Sequence, residues 1–129
     1  MATDDPKKLL EEMYQKRGYI LDIHKIMAAA DLDWVKAYDP FLEYSYTQER
    51  TLDRKTKELL QTVVLSALMT DVEHIKAHIQ VAIKEGATPQ EVLEALECVL
   101  APMGLLGFRR GVLAWASAVG VEPIEIDQP

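Results

Sequence analysis

The stretch of sequence that decides the fold, residues 53–96, reads DRKTKELLQTVVLSALMTDVEHIKAHIQVAIKEGATPQEVLEAL. Its apolar residues recur with the period of a helix, and no alternation of period two, which would indicate a strand, persists in it. Asp53 can cap a first helix. Thr70 and Glu73 form a capping-box pattern, which predicts that a second helix begins at Asp71.

The first of these helices is predicted to extend to about Met69, and the second to end at Gly86, a residue type common just after a helix. Thr88 starts a third helix with a proline and a capping-box glutamate behind it. Similar signals for helix starts and ends occur along the rest of the chain. We therefore predict an all-α fold, a single domain of six or seven helices over residues 1–129, with 120–129 as a C-terminal tail.

The composition excludes several classes of function. The chain has 129 residues, a net charge of −7 and 27% charged residues. An acidic chain lacks the basic face that nucleic acids and anionic membranes require, and no apolar run is long enough to span a bilayer. The lone cysteine, Cys98, is typical of a reducing compartment. No secretory signal is evident, so we expect a cytoplasmic protein.

The helix predicted over 71–85 has a polar edge beside its apolar stripe. The stripe consists of Val72, Ile75, Ile79, Ala82 and Ile83. Asp71, His74 and His78, spaced by three and four residues, lie together along one side of it. Such an edge suits the wall of a pocket, where polar groups meet an apolar floor. It equally suits an ordinary contact between two helices, and both interpretations stay open.

The preceding helix, predicted over 53–69, is apolar nearly all round, which predicts a central and buried position. Glu58 lies on the same side as Thr62. If that side is covered, Glu58 is a desolvated carboxylate suited to proton transfer. The alternative is that Glu58 lies in the exposed first turns and pairs with Arg54 or Lys55.

Two segments, LDRKTKELL at 52–60 and AHIQVAIKEGATPQEVLEAL at 77–96, resemble the carboxymuconolactone decarboxylase family, whose superfamily includes the alkylhydroperoxidase-D-like proteins. The resemblance covers roughly Asp31 to Ala118 and implies a core over about 31–119. It also implies that the chain's partner is itself, in a homotrimer or a homohexamer. The helix predicted over 53–69 has more apolar surface than one small domain is expected to cover, which independently favours such an assembly.

The peroxidase branch of this superfamily carries the motif C-x-x-C-x-x-x-H. Counted back from His78, its cysteine positions are occupied here by Asp71 and His74. Thiol peroxidase chemistry needs an attacking thiolate and a resolving thiol, and Cys98 is alone. Thiol peroxidase activity is therefore not expected.

The decarboxylase branch lacks the cysteine pair. The resemblance to it implies a decarboxylase-type lyase of aromatic compound catabolism that decarboxylates or isomerises a small carboxylate or lactone substrate by acid–base chemistry, without metal or cofactor. The candidate catalytic residues are His78, His74, Glu58 and Asp71. Arg109 or Arg110 could bind the substrate carboxylate, since a guanidinium matches its geometry. The alternative is that these two arginines are a solvated pair at a helix start.

Two other hypotheses remain open. The chain could be a non-catalytic oligomeric scaffold or small-ligand binder, in which case the histidine edge is a subunit contact. His74 and His78 could instead share a metal ion, as histidines one turn apart do in helical zinc sites. A third ligand would then come from Glu58, His24 or a neighbouring subunit, although the family resemblance implies no metal.

Overall fold

The computed structural model describes residues 3–128, which contain eight α-helices and no strand. The helices are α1 (Pro6–Arg17), α2 (Asp22–Ala30), α3 (Leu32–Leu42), α4 (Arg54–Ala67), α5 (Val72–Lys84), α6 (Pro89–Cys98), α7 (Leu100–Met103) and α8 (Leu105–Val119). One turn of π-helix, Glu43–Thr47, continues α3. None of the helices within this range is long and apolar enough to cross a membrane.

The all-α prediction is confirmed, and so are most of the predicted helix starts. The Asp53 carboxylate accepts a hydrogen bond from the Thr56 N–H at 2.8 Å. Thr88 and Glu91 form the predicted reciprocal capping box. The prediction of six or seven helices was slightly low, because the chain makes one further turn of helix, α7, between α6 and Gly104.

The predicted cap of α5 was wrong. The side chain of Asp71, rather than that of Thr70, accepts the backbone N–H of His74 at 2.9 Å, so α5 begins one residue later than expected. The preceding helix α4 ends at Ala67 rather than near Met69. Asp71 therefore has a local structural role that the face analysis did not anticipate.

Two apolar clusters stabilise the chain. The larger lies among α4, α5, α6 and α8, and its fully buried members include Ile75, Ile79, Val92, Leu96 and Ala114. The smaller joins α1, α2 and α3 through Leu9, Met13, Ala28 and Val35. Polar and charged groups, described below, connect the two clusters.

α4 is central, as predicted, because it packs on α5, α6 and α8, but it is not buried on every side. Its buried residues are polar and recur every fourth position: Arg54, Glu58, Thr62 and Ser66. The outward face exposes Leu60, Val64 and Leu68 by 50%, 53% and 71%. Thr62 and Ser66 can be buried because their hydroxyls find hydrogen-bond acceptors within the helix. Each hydroxyl donates to the carbonyl one turn earlier, at 2.9 and 2.7 Å.

Small residues let α8 approach this polar stripe closely. A Cβ atom added at Gly107 would lie 2.9 Å from the Ser66 carbonyl oxygen. One added at Gly111 would lie 2.6 Å from Ser66 Oγ and 2.7 Å from Leu96 Cδ2. The contact between α4 and α8 is therefore too tight for any side chain at these two positions.

We expect Gly111→Ala to lower the free energy of unfolding by about 1–3 kcal/mol through overpacking. This outcome opposes intrinsic helix propensity, which favours Ala over Gly by about 1 kcal/mol. Urea denaturation measures the change, and Ser117→Ala, at an exposed position of the same helix, serves as control. A Gly111→Ala chain at least as stable as the unaltered chain would contradict the close approach of α4 and α8.

Candidate functional site

The carboxylate of Glu58, on the second turn of α4, is fully buried and surrounded by donors. Arg54, one turn earlier, donates from Nε to Oε1 at 2.8 Å. The hydroxyl of Tyr46 donates to the same oxygen. The other oxygen, Oε2, lies 2.8 Å from Nδ1 of His78. An ionised carboxylate can only accept hydrogen bonds, so all three neighbours are suited to stabilise its charge.

The imidazole of His78 projects from α5 into the same buried group and is 2% exposed. With Glu58 ionised, Nδ1 carries the proton that bridges to Oε2, and this fixes the tautomer. Nε2 then holds the free lone pair. Within residues 3–128 no protein group bonds to Nε2, and no fully buried polar side-chain atom lacks a partner. Nε2 therefore retains some access to solvent.

Tyr46 reaches Glu58 because of the π-helical turn. Pro40, inside α3, cannot donate a backbone hydrogen bond. In the wider turn that follows, the Gln48 N–H bonds to the Glu43 carbonyl, five residues back, at 2.7 Å. π-Helical turns are frequent at functional sites. Burial raises the pKa of Tyr46 far above its usual value, and the nearby charges add to this. The phenol is therefore a neutral donor at physiological pH.

Tyr19, in the connection between α1 and α2, covers the imidazole of His78. The two ring centroids are 4.7 Å apart and the planes are tilted by 58°. Burial raises the pKa of Tyr19, and the negative charge of Glu58 acts in the same direction. The Tyr19 ring thus covers one side of the imidazole and shields that side from solvent.

Arg54 also ties the N-terminal helices to the site. Its two terminal nitrogens donate to the last carbonyls of α1, those of Lys16 at 3.2 Å and Arg17 at 2.6 Å. One guanidinium thereby satisfies the end of one helix and the buried carboxylate of another. Burial disfavours its charge, but the hydrogen bond to Glu58 and the negative charge of that carboxylate raise the pKa of Arg54 overall.

A second polar cluster adjoins the first. Arg17 is buried and pairs with Asp39 at 2.5 Å, and its other terminal nitrogen lies 3.3 Å from Nε2 of His24. Nδ1 of His24 accepts the backbone N–H of Leu21 at 3.0 Å. Burial, followed by the positive charge of Arg17, lowers the pKa of His24 to about 4. His24 is therefore neutral at physiological pH.

Two cavities lie beside these clusters and share Ile23. One, of about 360 Å³, is lined in part by Asp22, Asp71 and His74. The other, of about 280 Å³, is mostly apolar and includes His24. The cavity beside His74 carries several carboxylates, so it disfavours an anion there in the absence of a counter-charge.

The structure brings together two of the four candidate catalytic residues, His78 and Glu58. Both interpretations of Glu58 hold in part, because it is buried and also paired with Arg54. His74 is half-buried, with its ring centroid 5.3 Å from that of His78. Burial and the charge of His78 lower the pKa of His74. Asp71 is exposed and caps α5.

The remaining predicted residues lie apart from this group. Arg109 is exposed and Arg110 half-buried, both on α8. Neither is among the described hydrogen-bond partners of Glu58 or His78. Cys98 is exposed, with its thiol directed to the Ala95 carbonyl. Within residues 3–128 no three His, Cys, Asp or Glu side chains are grouped so that they could hold a metal ion. The third ligand that a His74–His78 metal site needs is not found there.

Sequence reasoning missed Tyr46, Tyr19 and Arg17. Arg54 was named only as a possible surface partner of Glu58. The four-residue spacing of Arg54, Glu58, Thr62 and Ser66 is visible in the sequence as a polar stripe, and could have identified the buried face of α4. Tyr46 and Tyr19 had no comparable signal, because a π-helical turn and an interhelical connection place them.

We expect Arg54→Met to lower the free energy of unfolding by about 3–5 kcal/mol, because it leaves a buried carboxylate without its counter-charge. The neighbouring Lys55→Met removes a partly exposed pair with Glu91 and should cost less than about 1 kcal/mol. Urea denaturation of both variants measures the difference. Equal costs would show that the buried ion pair is not as the structure has it.

Comparison with known proteins supports the resemblance seen in the sequence. A sequence model described as the carboxymuconolactone decarboxylase family matches residues 33–118, more than half of the chain. No curated protein and no solved structure matched the chain. The matched range contains Tyr46, Glu58 and His78, whereas Tyr19 lies before it, in the connection between α1 and α2. The chain belongs to the carboxymuconolactone decarboxylase family.

Proposed function

We propose that the chain is a lyase-type enzyme that decarboxylates or isomerises a small carboxylated, lactone-type substrate by metal-independent acid–base chemistry. The observation that carries this proposal is the buried pair of Glu58 and His78, 2.8 Å apart. A carboxylate that fixes the tautomer of an imidazole leaves the opposite ring nitrogen ready to accept or donate a proton. The proposed substrate class rests on the resemblance to the decarboxylase branch of the family, and membership of the family supports it.

In the decarboxylation, the bond between the substrate's ring carbon and its carboxylate breaks and CO2 leaves without the bonding electrons. The electron pair passes into the conjugated system and onto the lactone carbonyl oxygen as an enolate. His78, protonated on Nε2, then delivers its proton to carbon, and takes a proton from water before the next turnover. In the isomerisation, neutral His78 first removes a proton and returns it at another carbon.

Arg54 and Tyr46 act as positioning residues in this scheme. Each turnover passes through an imidazolium at His78, whose charge Glu58 offsets through the Nδ1–H bond. Arg54 and Tyr46 hold the Glu58 carboxylate in one orientation by donating to Oε1. Preorganised donors of this kind avoid a reorganisation cost at the moment of reaction.

The substrate carboxylate is assigned to Arg109 or Arg110 as part of the same proposal. The guanidinium groups nearer to the site are already engaged: Arg17 with Asp39 and Arg54 with Glu58. The exposed Arg109 keeps its guanidinium available for a ligand.

The second candidate function is a non-catalytic scaffold or small-ligand binder of the same family. The observation that favours it is the structural use of the same network, since Arg54 joins the carbonyl end of α1 to Glu58. A network of this kind stabilises a fold whether or not it turns over a substrate.

Carboxymuconolactone turnover, followed by loss of ultraviolet absorbance, tests the main proposal. We expect His78→Asn to lower kcat by about 10²- to 10⁴-fold, the usual contribution of a general acid or base. Glu58→Gln should lower kcat in the same direction, whereas Glu91→Gln, a change at a surface pair, should not. His74→Asn shows which histidine donates the proton.

Circular dichroism and urea denaturation of each variant separate loss of chemistry from loss of fold. An unaltered chain that does not turn over the substrate, with His78→Asn changing only stability, would favour the scaffold. Turnover undiminished in His78→Asn would reject the assigned proton donor.

We further propose that the chain forms a homotrimer or homohexamer through the outward face of α4. That face exposes Leu60, Val64 and Leu68, and an apolar hollow of about 210 Å³ beside it is lined by Val63, Met103 and neighbouring residues. Contiguous exposed apolar surface of this kind marks an interaction site.

Light scattering at micromolar concentration tests the assembly. We expect three or six times the monomer mass for the unaltered chain, and the monomer mass for Leu60→Glu/Val64→Glu, because paired copies would have to bury the new charges. Lys84→Glu, an exposed charge reversal at the end of α5 and outside that face, changes the net charge by the same amount and serves as control. A monomeric unaltered chain would contradict the proposal.

A further inference from the structure

A groove of about 360 Å³ lies between α1 and the start of α2, away from the Glu58–His78 pair. Its apolar lining is provided by Leu10, Tyr14 and Ile20, and Tyr14 is half exposed. Lys7 and Lys25 add two positive charges to it. The groove thus offers an apolar floor with cations beside it, on a chain whose net charge is −7.

The Lys7 charge is only weakly engaged. Glu11, which also lines the groove, lies 4.0 Å from it in an exposed pair. Exposed pairs of this kind within a helix contribute little. The lysine therefore remains available to a competing carboxylate.

An acidic segment with complementary features follows α8. Residues 121–128 read VEPIEIDQ, and their charged residues are all acidic: Glu122, Glu125 and Asp127. Ile124 is 92% exposed and Ile126 70% exposed. In an extended chain alternate residues face one side, so the two isoleucines lie together, about 6.7 Å apart.

We propose that residues 121–128 of one copy of the chain bind in the groove of a second copy. The spacing of the isoleucines matches that of Leu10 and Tyr14, which lie one turn apart on α1, about 6 Å along its axis. The carboxylates of the segment would meet Lys7 and Lys25. The fit therefore combines apolar spacing with opposite charge.

The partner is a second copy because, among residues 3–128 of one chain, the segment does not contact the groove and neither has another occupant. The Val121 N–H bonds to the Ala116 carbonyl at 3.0 Å, and beyond this point the isoleucine side chains stand in solvent. The segment leaves the end of α8, which packs on α4, α5 and α6, whereas α1 packs on α2. This inference does not depend on the proposed enzymatic reaction.

Carbodiimide crosslinking of mixed heavy-isotope and light chains is the first test. The reagent joins an ammonium group to a carboxylate in contact with it. We expect crosslinked peptides that join Lys7 or Lys25 to the acidic residues of 121–128, including the mixed heavy–light form. Absence of these crosslinks, or their presence only within single chains, would overturn the proposal.

Binding of a fluorescent peptide comprising residues 119–129 is the second test. The receptor is the full chain carrying Ile124→Ser/Ile126→Ser, which disables its own segment at exposed positions. We expect saturable binding that weakens at least about tenfold when Lys7→Glu/Lys25→Glu is added, because like charges then face each other. Lys8→Glu/Lys84→Glu changes the net charge equally outside the groove and should leave the affinity unchanged.

A peptide with Glu122→Lys/Glu125→Lys should recover affinity for the Lys7→Glu/Lys25→Glu chain. No binding of the original peptide, or equal weakening by both pairs of lysine substitutions, would overturn the groove as its site.

Discussion

The carboxylate of Glu58 is removed from water, and a buried charge is tolerated only where other groups compensate it. Arg54 supplies the opposite charge, and Tyr46 and His78 supply further hydrogen bonds. Each of these partners comes from a different place in the chain: the same helix, a π-helical turn and the following helix. The arrangement of α1, α4, α5 and the turn after α3 therefore converges on one acceptor group.

The same constraint explains the division of α4 into two faces. Its buried stripe carries the Glu58 charge and two small hydroxyl residues, which bond to the helix's own carbonyls and leave room for α8. Leu59 and Val63, beside this stripe, pack against the larger apolar cluster, while a separate apolar face stays exposed. A helix that reads as apolar nearly all round thus carries a polar buried stripe as well as an exposed apolar face, and the exposed face is the physical basis for the proposed assembly.

Much of the fold was predictable because local signals specify it. Caps at Asp53 and Thr88 and the absence of period-two alternation led to the correct fold class, and the resemblance led to the correct family. The buried face of α4 was not predicted, because burial depends on which helices pack against it. Hydrophobicity alone would have placed the polar stripe on the surface. For the site, Glu58 and His78 could be named from the sequence. The contact between Glu58 and His78 could not be predicted, because it depends on how α4 and α5 pack. The positions of Tyr46 and Tyr19 also depend on tertiary structure.

The central claim is that the Glu58 carboxylate accepts a hydrogen bond from the protonated Nδ1 of His78. This leaves Nε2 as the reactive nitrogen. Two-dimensional NMR of the nitrogen-15-labelled imidazoles in the full chain tests it most directly, since protonated and unprotonated ring nitrogens resonate in separate regions. The account predicts a protonated Nδ1 for His78 at neutral pH, with Glu58→Gln altering that signal and Glu91→Gln leaving it unchanged. A His78 protonated only on Nε2, with Nδ1 accepting from a neutral Glu58, would contradict the account.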